Sequence, residues 1–367
     1  MIGSEDQSLD GPDGSGGPNG EAPSRPAHAP VLLEEATAAL APSAGGVIVD
    51  ATFGGGGYSR AFLGAANCRV WALDRDASAV SAGRVWARAY AGRLQIVETR
   101  FSRMEEALAA AGVEAVDGVA FDFGVSSMQI DQAGRGFSFL RDGPLDMRMG
   151  GEGASAADVI AHADAAELQS IFSVYGEERK SKTVAAAIVA ARKDAPIVTT
   201  ARLADIVSEA VGGRKGARVH PATRVFQALR IFVNDELGEI VRGLEAAERL
   251  LRPAGRLVAV SFHSLEDRLV KRFLADRSGR AATGSRHAPP EETASAAEAT
   301  FTLLRRKPTA PSDGEADLNP RARSAKLRAA IRTAAPCVSS ADRGADLSGW
   351  PPRPVISSRL EERMSFV

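Results

Sequence analysis

The chain has 367 residues, 44% of them apolar and 25% charged, with a formal net charge of −1. That is room for one large domain or two ordinary ones, without the overall positive charge of a general nucleic-acid binder. No apolar run approaches the roughly 18 residues of a membrane span. Cys68 and Cys337 have no paired spacing and the five histidines are scattered, which argues against a disulfide framework or a metal site and suits a reducing cytoplasm.

Residues 1–24, rich in Asp, Gly, Ser and Pro, contain no apolar core; they are expected to form a disordered tail rather than a signal peptide or anchor. The core begins near His28. "VLLEEATAAL" (31–40) has the spacing of an amphipathic helix ending at Pro42 and Gly45-Gly46. "GVIVDATF" is a buried strand, "RVWALDRD" (69–76) a second, "AVSAGRVWARA" (79–89) a helix and "RLQIVETRF" (93–101) a third strand. "SRMEEALAAAG" (102–112) is a helix closed by Gly112, and "VDGVAFDFGVSS" (116–127) a fourth strand running into a polar loop. Strand and helix alternate at βαβ spacing, which predicts a parallel, doubly wound sheet. From about 141 to 219 the pattern is helical, and a small helical domain inserted into the sheet domain is expected there. The α/β pattern resumes with one long helix (223–251), a strand (255–262) and a helix (264–274). Residues 276–300 read as a loop, "TFTLLRRKP" and "RSAKLRAAIRT" as a closing antiparallel pair, and 335–367 as a mobile tail.

Four glycines, Gly54 to Gly57, follow the first strand at the point where an open α/β sheet binds ligands, and the next helix offers free N–H groups. Asp74 closes the second strand, where a carboxylate accepts the ribose hydroxyls of a nucleoside cofactor. The dinucleotide fingerprint G-x-G-x-x-G fails at Ser59, and there is no phosphate loop. Asp50 would repel a pyrophosphate but attract a cationic amino acid. That favours S-adenosylmethionine over a nicotinamide cofactor.

"DATFGGGGYSR", "LDRD", "DFGVSS", "RGFSFLRDGPLDMRM", "YGEER", "HPATRVFQALRI", "SFHSLEDRLVKRF" and "NPRARSAKLR" occur in that order between His28 and Thr333. In these motifs the chain resembles the bacterial ribosomal RNA small-subunit methyltransferase H family. The resemblance implies a Rossmann-like class I methyltransferase sheet with an inserted helical domain (25–140 and 220–334 around 141–219). It implies S-adenosylmethionine as cofactor, and methylation of the N4 amine of a cytosine in the decoding region of 16S rRNA within the small ribosomal subunit. It implies cofactor contacts at Gly56, Gly57, Tyr58, Asp74, Phe101, Asp122 and Gln129, and an insertion that helps grip RNA. Some relatives carry His where this chain has Tyr58, a harmless change if only the backbone touches cofactor.

Methyl transfer to an exocyclic amine needs an acceptor for one N–H, because the nitrogen lone pair is delocalised into the ring. Asp122 at the fourth strand end is the first candidate, with the backbone of "FGVSS" beside it; contact with cofactor alone is the alternative. Related amino-methyltransferases follow the acidic or amide residue with prolines, where this chain has Phe123-Gly124. A flipped base needs a flat receiving surface, for which Phe137 and Phe139 are candidates, although one is expected in the core. Asp142 and Asp146 are expected to hold structure, Asp146 through Arg148, with base contact the alternative. His263 either lines the substrate pocket or caps the next helix. "SFHSLEDR" holds Ser, His and Asp too close together for a hydrolase triad, and G-x-S-x-G is absent. "GGRKGARVHPATR", "LRRKP" and "NPRARSAKLR", the last with Arg321 and Arg323, are candidate phosphate contacts. Two rival functions stay open at this point: a nicotinamide-dependent oxidoreductase, and a non-catalytic RNA-binding factor that retains a cofactor fold.

Overall fold

The computed structural model describes residues 30–213, 220–279, 298–337 and 353–363. The expected N-terminal tail, most of the 276–300 loop and part of the basic stretch 212–224 lie outside these residues.

The chain builds α1 (Leu33–Leu40), β1 (Val47–Asp50), α2 (Gly57–Ala65), β2 (Arg69–Asp74), α3 (Ala77–Ala87), β3 (Leu94–Glu98), α4 (Met104–Ala109), β4 (Val116–Asp122) and α5 (Ser127–Asp131). The next four helices are α6 (Ala156–His162), α7 (Ala165–Gly176), α8 (Ser181–Asp194) and α9 (Thr200–Ala210). Then come α10 (Ala222–Asn234), α11 (Glu236–Leu250), β5 (Leu251–Ser261), α12 (Ser264–Arg277), β6 (Phe301–Leu303), α13 (Asp313–Leu318), β7 (Lys326–Arg332) and α14 (Ser358–Arg363).

The seven strands form one sheet in the order β3-β2-β1-β4-β5-β7-β6. β1 to β5 are parallel, and β7 runs antiparallel to both β5 and β6. Successive side chains serve opposite faces. Ile48, Val70, Ala120 and Val258 meet α1, α2 and α3, whereas Val47, Val49, Val119 and Phe121 meet α4, α11 and α12. Both faces are covered, so the strands read as continuous apolar runs rather than alternating ones. The strand order reverses at β1, which pairs with β2 on one side and β4 on the other. The crevice at that switch point lies between the carboxyl ends of β1 and β4, where Asp50 and Asp122 stand.

Three features depart from expectation. The helix expected over 223–251 is two helices, because Asp235 has φ +47 and the chain restarts at Glu236. Glu236 and Glu239 lie in the first turn of α11, where acidic side chains favour a helix start. The apolar spacing hides the break because both helices bury their inner faces. The expected helical insertion begins with irregular chain, and helix starts only at Ala156. There Asp142 accepts the N–H groups of Gly143 and Ala201 (both 2.9 Å), and Pro144 bridges to Thr199, stitching the loop to α9. The expected mobile tail contains a docked segment: Leu360 is buried, and the Ser357 N–H and hydroxyl donate to Glu167 Oε1 at 2.8 and 2.6 Å. The inserted helices are not a separate core. Leu168, Ile171 and Phe172 of α7 share one apolar cluster with Val225, Phe226 and Leu229 of α10, and with Val119 and Phe121 of the sheet.

Candidate active site

The glycine loop is held from below. Gly56 takes φ +74 as the residue before α2, and a side chain there would meet Trp86 Cζ2 at 2.3 Å and Phe53 at 2.7 Å. A Cβ on Gly57 would lie 2.1 Å from Pro30 Cγ. Packing against aromatic rings and proline therefore requires glycine at both positions. Gly55 has nothing within 4 Å of a Cβ, so the open side of the loop lies there. The Gly57 and Tyr58 N–H groups have no acceptor among the described residues and start α2. The Tyr58 side chain turns the other way: it is buried, and its hydroxyl donates to the Val31 carbonyl at 2.5 Å. Only its backbone can face a ligand.

Asp74 binds the loop to the second strand. Oδ2 accepts the Gly54 N–H at 2.7 Å and Oδ1 the Asp76 N–H at 2.9 Å. Burial raises its pKa, against those two donors. Each oxygen keeps a lone pair for a ribose hydroxyl. Asp74→Ala is expected to weaken S-adenosylmethionine binding at least about tenfold, since a hydrogen bond to a charged group is worth roughly 1.5–3 kcal/mol. Calorimetry checks this, and unchanged affinity in a folded variant would remove Asp74 from the site.

Asp50 is 1% exposed; its Oδ2 accepts the Ser59 hydroxyl at 2.6 Å. Burial pushes its pKa from 3.8 up to about 6, against the Ser59 and Thr52 donors, with Asp74 adding a smaller rise. A raised folded pKa means that the protonated form suits the fold. The associated stability is present below pH 3.8 and is lost as pH rises through about 6. A bound cation reverses the preference and expels the proton. Affinity for a sulfonium cofactor should therefore rise by at least about fourfold between pH 5.5 and 7.5. Asp74 and Asp122, also raised, add to that slope. Asp50→Asn should remove the Asp50 share, and identical pH slopes in the two proteins would exclude it.

Asp122 stands across the crevice. Its N–H donates to Thr52 Oγ1 at 2.7 Å, tying β4 to the glycine loop. Its Oδ1 is buried and has no hydrogen-bond donor. Burial first, then the charges of Asp50 and Glu266, push its pKa well above the ordinary carboxylate range. A buried acceptor without a donor is costly, and the carboxylate as a whole is only half-buried at the crevice, with acceptor capacity to spare.

The other expected residues divide. Phe101, in the turn after β3, packs edge-on against Phe121 at 5.5 Å and forms an apolar wall. Gln129 is buried; its Oε1 accepts the Ser126 N–H at 3.0 Å and its Nε2 donates to Asp76 Oδ2 at 2.9 Å. It thereby pins the "DFGVSS" loop to the end of β2. Phe139 is half-buried and lies against His220 and Phe226, at 4.6 and 4.9 Å between rings, packed on the edge of the core. Phe137 lies under Arg135 at 5.8 Å. Asp146 holds Arg148 with both oxygens, at 2.9 and 2.8 Å, as expected of a structural pair. His263 takes the capping alternative: its Nδ1 accepts the Glu266 N–H at 3.4 Å, and its Nε2 lies 3.0 Å from Glu266 Oε1, off the N–H axis. Glu236 comes within 4.8 Å of this pair, but the Arg230 guanidinium already holds both its oxygens. Of the basic stretch, Lys326 and Arg328 pair with Asp267, and Arg321 with Asp131 at 3.1 Å, while Arg323 is exposed.

Asp76 went unrecognised in the sequence although it joins α3, Gln129 and Arg135. So did Glu266, whose spacing of three from His263 is that of a capping box.

A glycine cradle open at Gly55, free N–H groups at the start of α2, a strand-end carboxylate and an orphan acceptor fit a cationic nucleoside cofactor. The model of the MraW methylase family matches residues 25–333. A Nitrobacter hamburgensis protein named ribosomal RNA small subunit methyltransferase H is 57% identical, over 88% of this chain and 95% of its own. A Paramagnetospirillum magneticum protein of the same name is 58% identical, over 84% and 96%. Among solved structures, an rRNA methylase from Streptococcus thermophilus aligns at 9% identity over 82% of this chain and 93% of its own, with a TM-score of only 0.36. The chain belongs to the MraW methylase family, whose members are S-adenosylmethionine-dependent methyltransferases.

Proposed function

We propose that the chain methylates ribosomal RNA of the small subunit with S-adenosylmethionine, and that its target is the N4 amine of a decoding-centre cytosine in 16S rRNA. The names of the relatives support the first part. The half-buried Asp122 carboxylate at the crevice, with no donor on Oδ1, is the observation that supports an exocyclic amine as the methyl acceptor; the cytosine and its place in 16S rRNA rest on the family resemblance. A ribosomal substrate is in keeping with action in the cytoplasm.

In this reading residues 25–140 and 220–334 hold the cofactor, and 141–219 recognise substrate. Exposed Arg305, Arg306, Lys307, Arg321 and Arg323 offer phosphate contacts. The cofactor supplies an electrophilic methyl group on a sulfonium. Asp74 and the Gly57 and Tyr58 N–H groups would hold its nucleoside and amino-acid ends, and Asp50 would favour its positive charge. Asp122 accepts one N–H of the amine, draws the nitrogen out of conjugation and directs its lone pair at the methyl carbon. The methylated amine would be acidic, and Asp122 would take its departing proton. Orientation is the larger contribution, up to about 7–11 kcal/mol in favourable cases.

Small subunits lacking the modification, incubated with enzyme and methyl-labelled cofactor, should yield labelled N4-methylcytidine on nucleoside mass spectrometry. Label in another nucleoside would overturn the target position, and absence of both label and cofactor binding would overturn the function.

A further inference from the structure

The outer side of the glycine loop carries a clamp that the proposed chemistry does not use. The Arg60 guanidinium lies over the Trp86 ring, 3.8 Å from its centroid, and donates from Nη1 to the Gly55 carbonyl at 3.1 Å. Trp86 in turn stacks on Phe53 with 5.7 Å between ring centroids and 21° between planes, and its edge fills the space where Gly56 would carry a side chain. Tyr90 meets the far edge of the indole at 5.7 Å. Gly54 and Gly56 both have left-handed backbone, with φ +51 and +74. Glycine adopts that conformation freely but has no side chain to lock it. Gly55, between them, is the open residue of the loop, and its carbonyl is the one Arg60 holds.

We propose that Arg60, seated on Trp86, is a positioning residue that fixes the peptide of Gly55, and so sets the glycine loop in its cofactor-binding conformation before the cofactor arrives. A loop without this hold samples other conformations and loses affinity by the fraction of time spent in them. Asp74 fixes the Gly54 N–H from the inner side, so the loop is gripped on both sides, with the open residue between. Arg60 is exposed, and the hydrogen bond of its side chain among the described residues goes to the loop itself, so it acts on binding rather than on the chemical step.

The inference rests on the glycine loop being the cofactor site, and the test separates the two. S-adenosylmethionine binding to the full chain is measured by calorimetry, and methylation of small subunits at saturating cofactor, for the wild type, Arg60→Met, Arg60→Lys and the control Arg84→Ala on α3. Arg60→Met keeps a stem on the ring but removes charge and donors. It should raise Kd about tenfold, the scale of losing one exposed charge-assisted hydrogen bond. Its kcat should stay within twofold of wild type and its thermal midpoint should hold. Arg60→Lys, which returns the charge, should recover part of the affinity, and Arg84→Ala should match the wild type. Equal Kd for Arg60→Met and wild type overturns the positioning role, as does a fall in kcat with Kd unchanged. Should Arg60→Met fail to fold, Arg60→Lys decides: a raised Kd with kcat kept supports the positioning role, and an unchanged Kd, with or without a fall in kcat, overturns it. A wild-type chain that binds no S-adenosylmethionine defeats instead the assignment of the loop as the cofactor site.

Discussion

Asp122→Ala is expected to lower the single-turnover rate of methyl transfer by roughly a hundredfold or more, the scale of losing one hydrogen bond that matters chiefly in the transition state. Cofactor affinity should change less than rate, because the amine's need for an acceptor grows as the N–C bond forms. Asp122→Asn keeps the size and one acceptor oxygen, so part of the activity should survive. The pH profile gives a second check. Burial, Asp50 and Glu266 raise the Asp122 pKa. Below that raised value the carboxyl is protonated and donates where it should accept, so the rate should climb as pH rises through a value above the ordinary carboxylate range. Asp50 and Glu266 are the charged neighbours that bias this titration. Asp122→Asn should lose this inflection. If Asp122 holds only cofactor, affinity falls and the rate at saturating S-adenosylmethionine stays near normal. That result would leave the backbone of Phe123 to Ser126 as the acceptor.

The central sheet was legible because parallel strands buried on both faces leave continuous apolar runs, and turn residues separate them. The Gly54–Gly57 loop and the strand-end Asp74 were legible because their spacing follows from the βαβ connection itself. What sequence hides is orientation. Gly56 reads as a ligand cradle, yet its missing side chain makes room for Trp86, 30 positions on. Gln129 reads as a cofactor contact, yet its amide also holds structure, accepting from the Ser126 N–H and donating to Asp76. Phe139 is as apolar as any base-stacking ring, and only the arrival of His220 and Phe226 shows that it is packed. The break at Asp235 was invisible for the opposite reason: a single left-handed residue interrupts the hydrogen-bond ladder without disturbing the apolar period. The basic run at 319–328 illustrates the same limit for charge, since Asp267, far off in sequence, neutralises Lys326 and Arg328.

Removing the Arg277 guanidinium is the substitution expected to cost most in stability. Arg277 is 1% exposed and Glu248 2%, and they pair at 2.8 Å. Asp276 also binds the guanidinium, and Phe273 lies beneath it at 5.0 Å. Glu248 accepts in addition from the Thr300 hydroxyl, and Arg332 donates to the Glu248 carbonyl at 3.0 Å. One buried network therefore joins the ends of α11 and α12 to β7 and to the approach to β6. Arg277→Met fills much of the volume but leaves the Glu248 carboxylate buried with a single neutral donor. Breaking a buried pair from one side typically costs about 3–5 kcal/mol, because an uncompensated charge remains. Urea titration should show that loss. Glu248→Gln alone should cost less, since an amide tolerates burial better than an unpaired carboxylate and the Arg277–Asp276 contact persists. The double variant should recover a large part of the Arg277→Met loss, because the stranded charge has gone. A double-variant loss equal to the sum of the two single losses would mean that Arg277 stabilises by packing on Phe273 rather than through its charge.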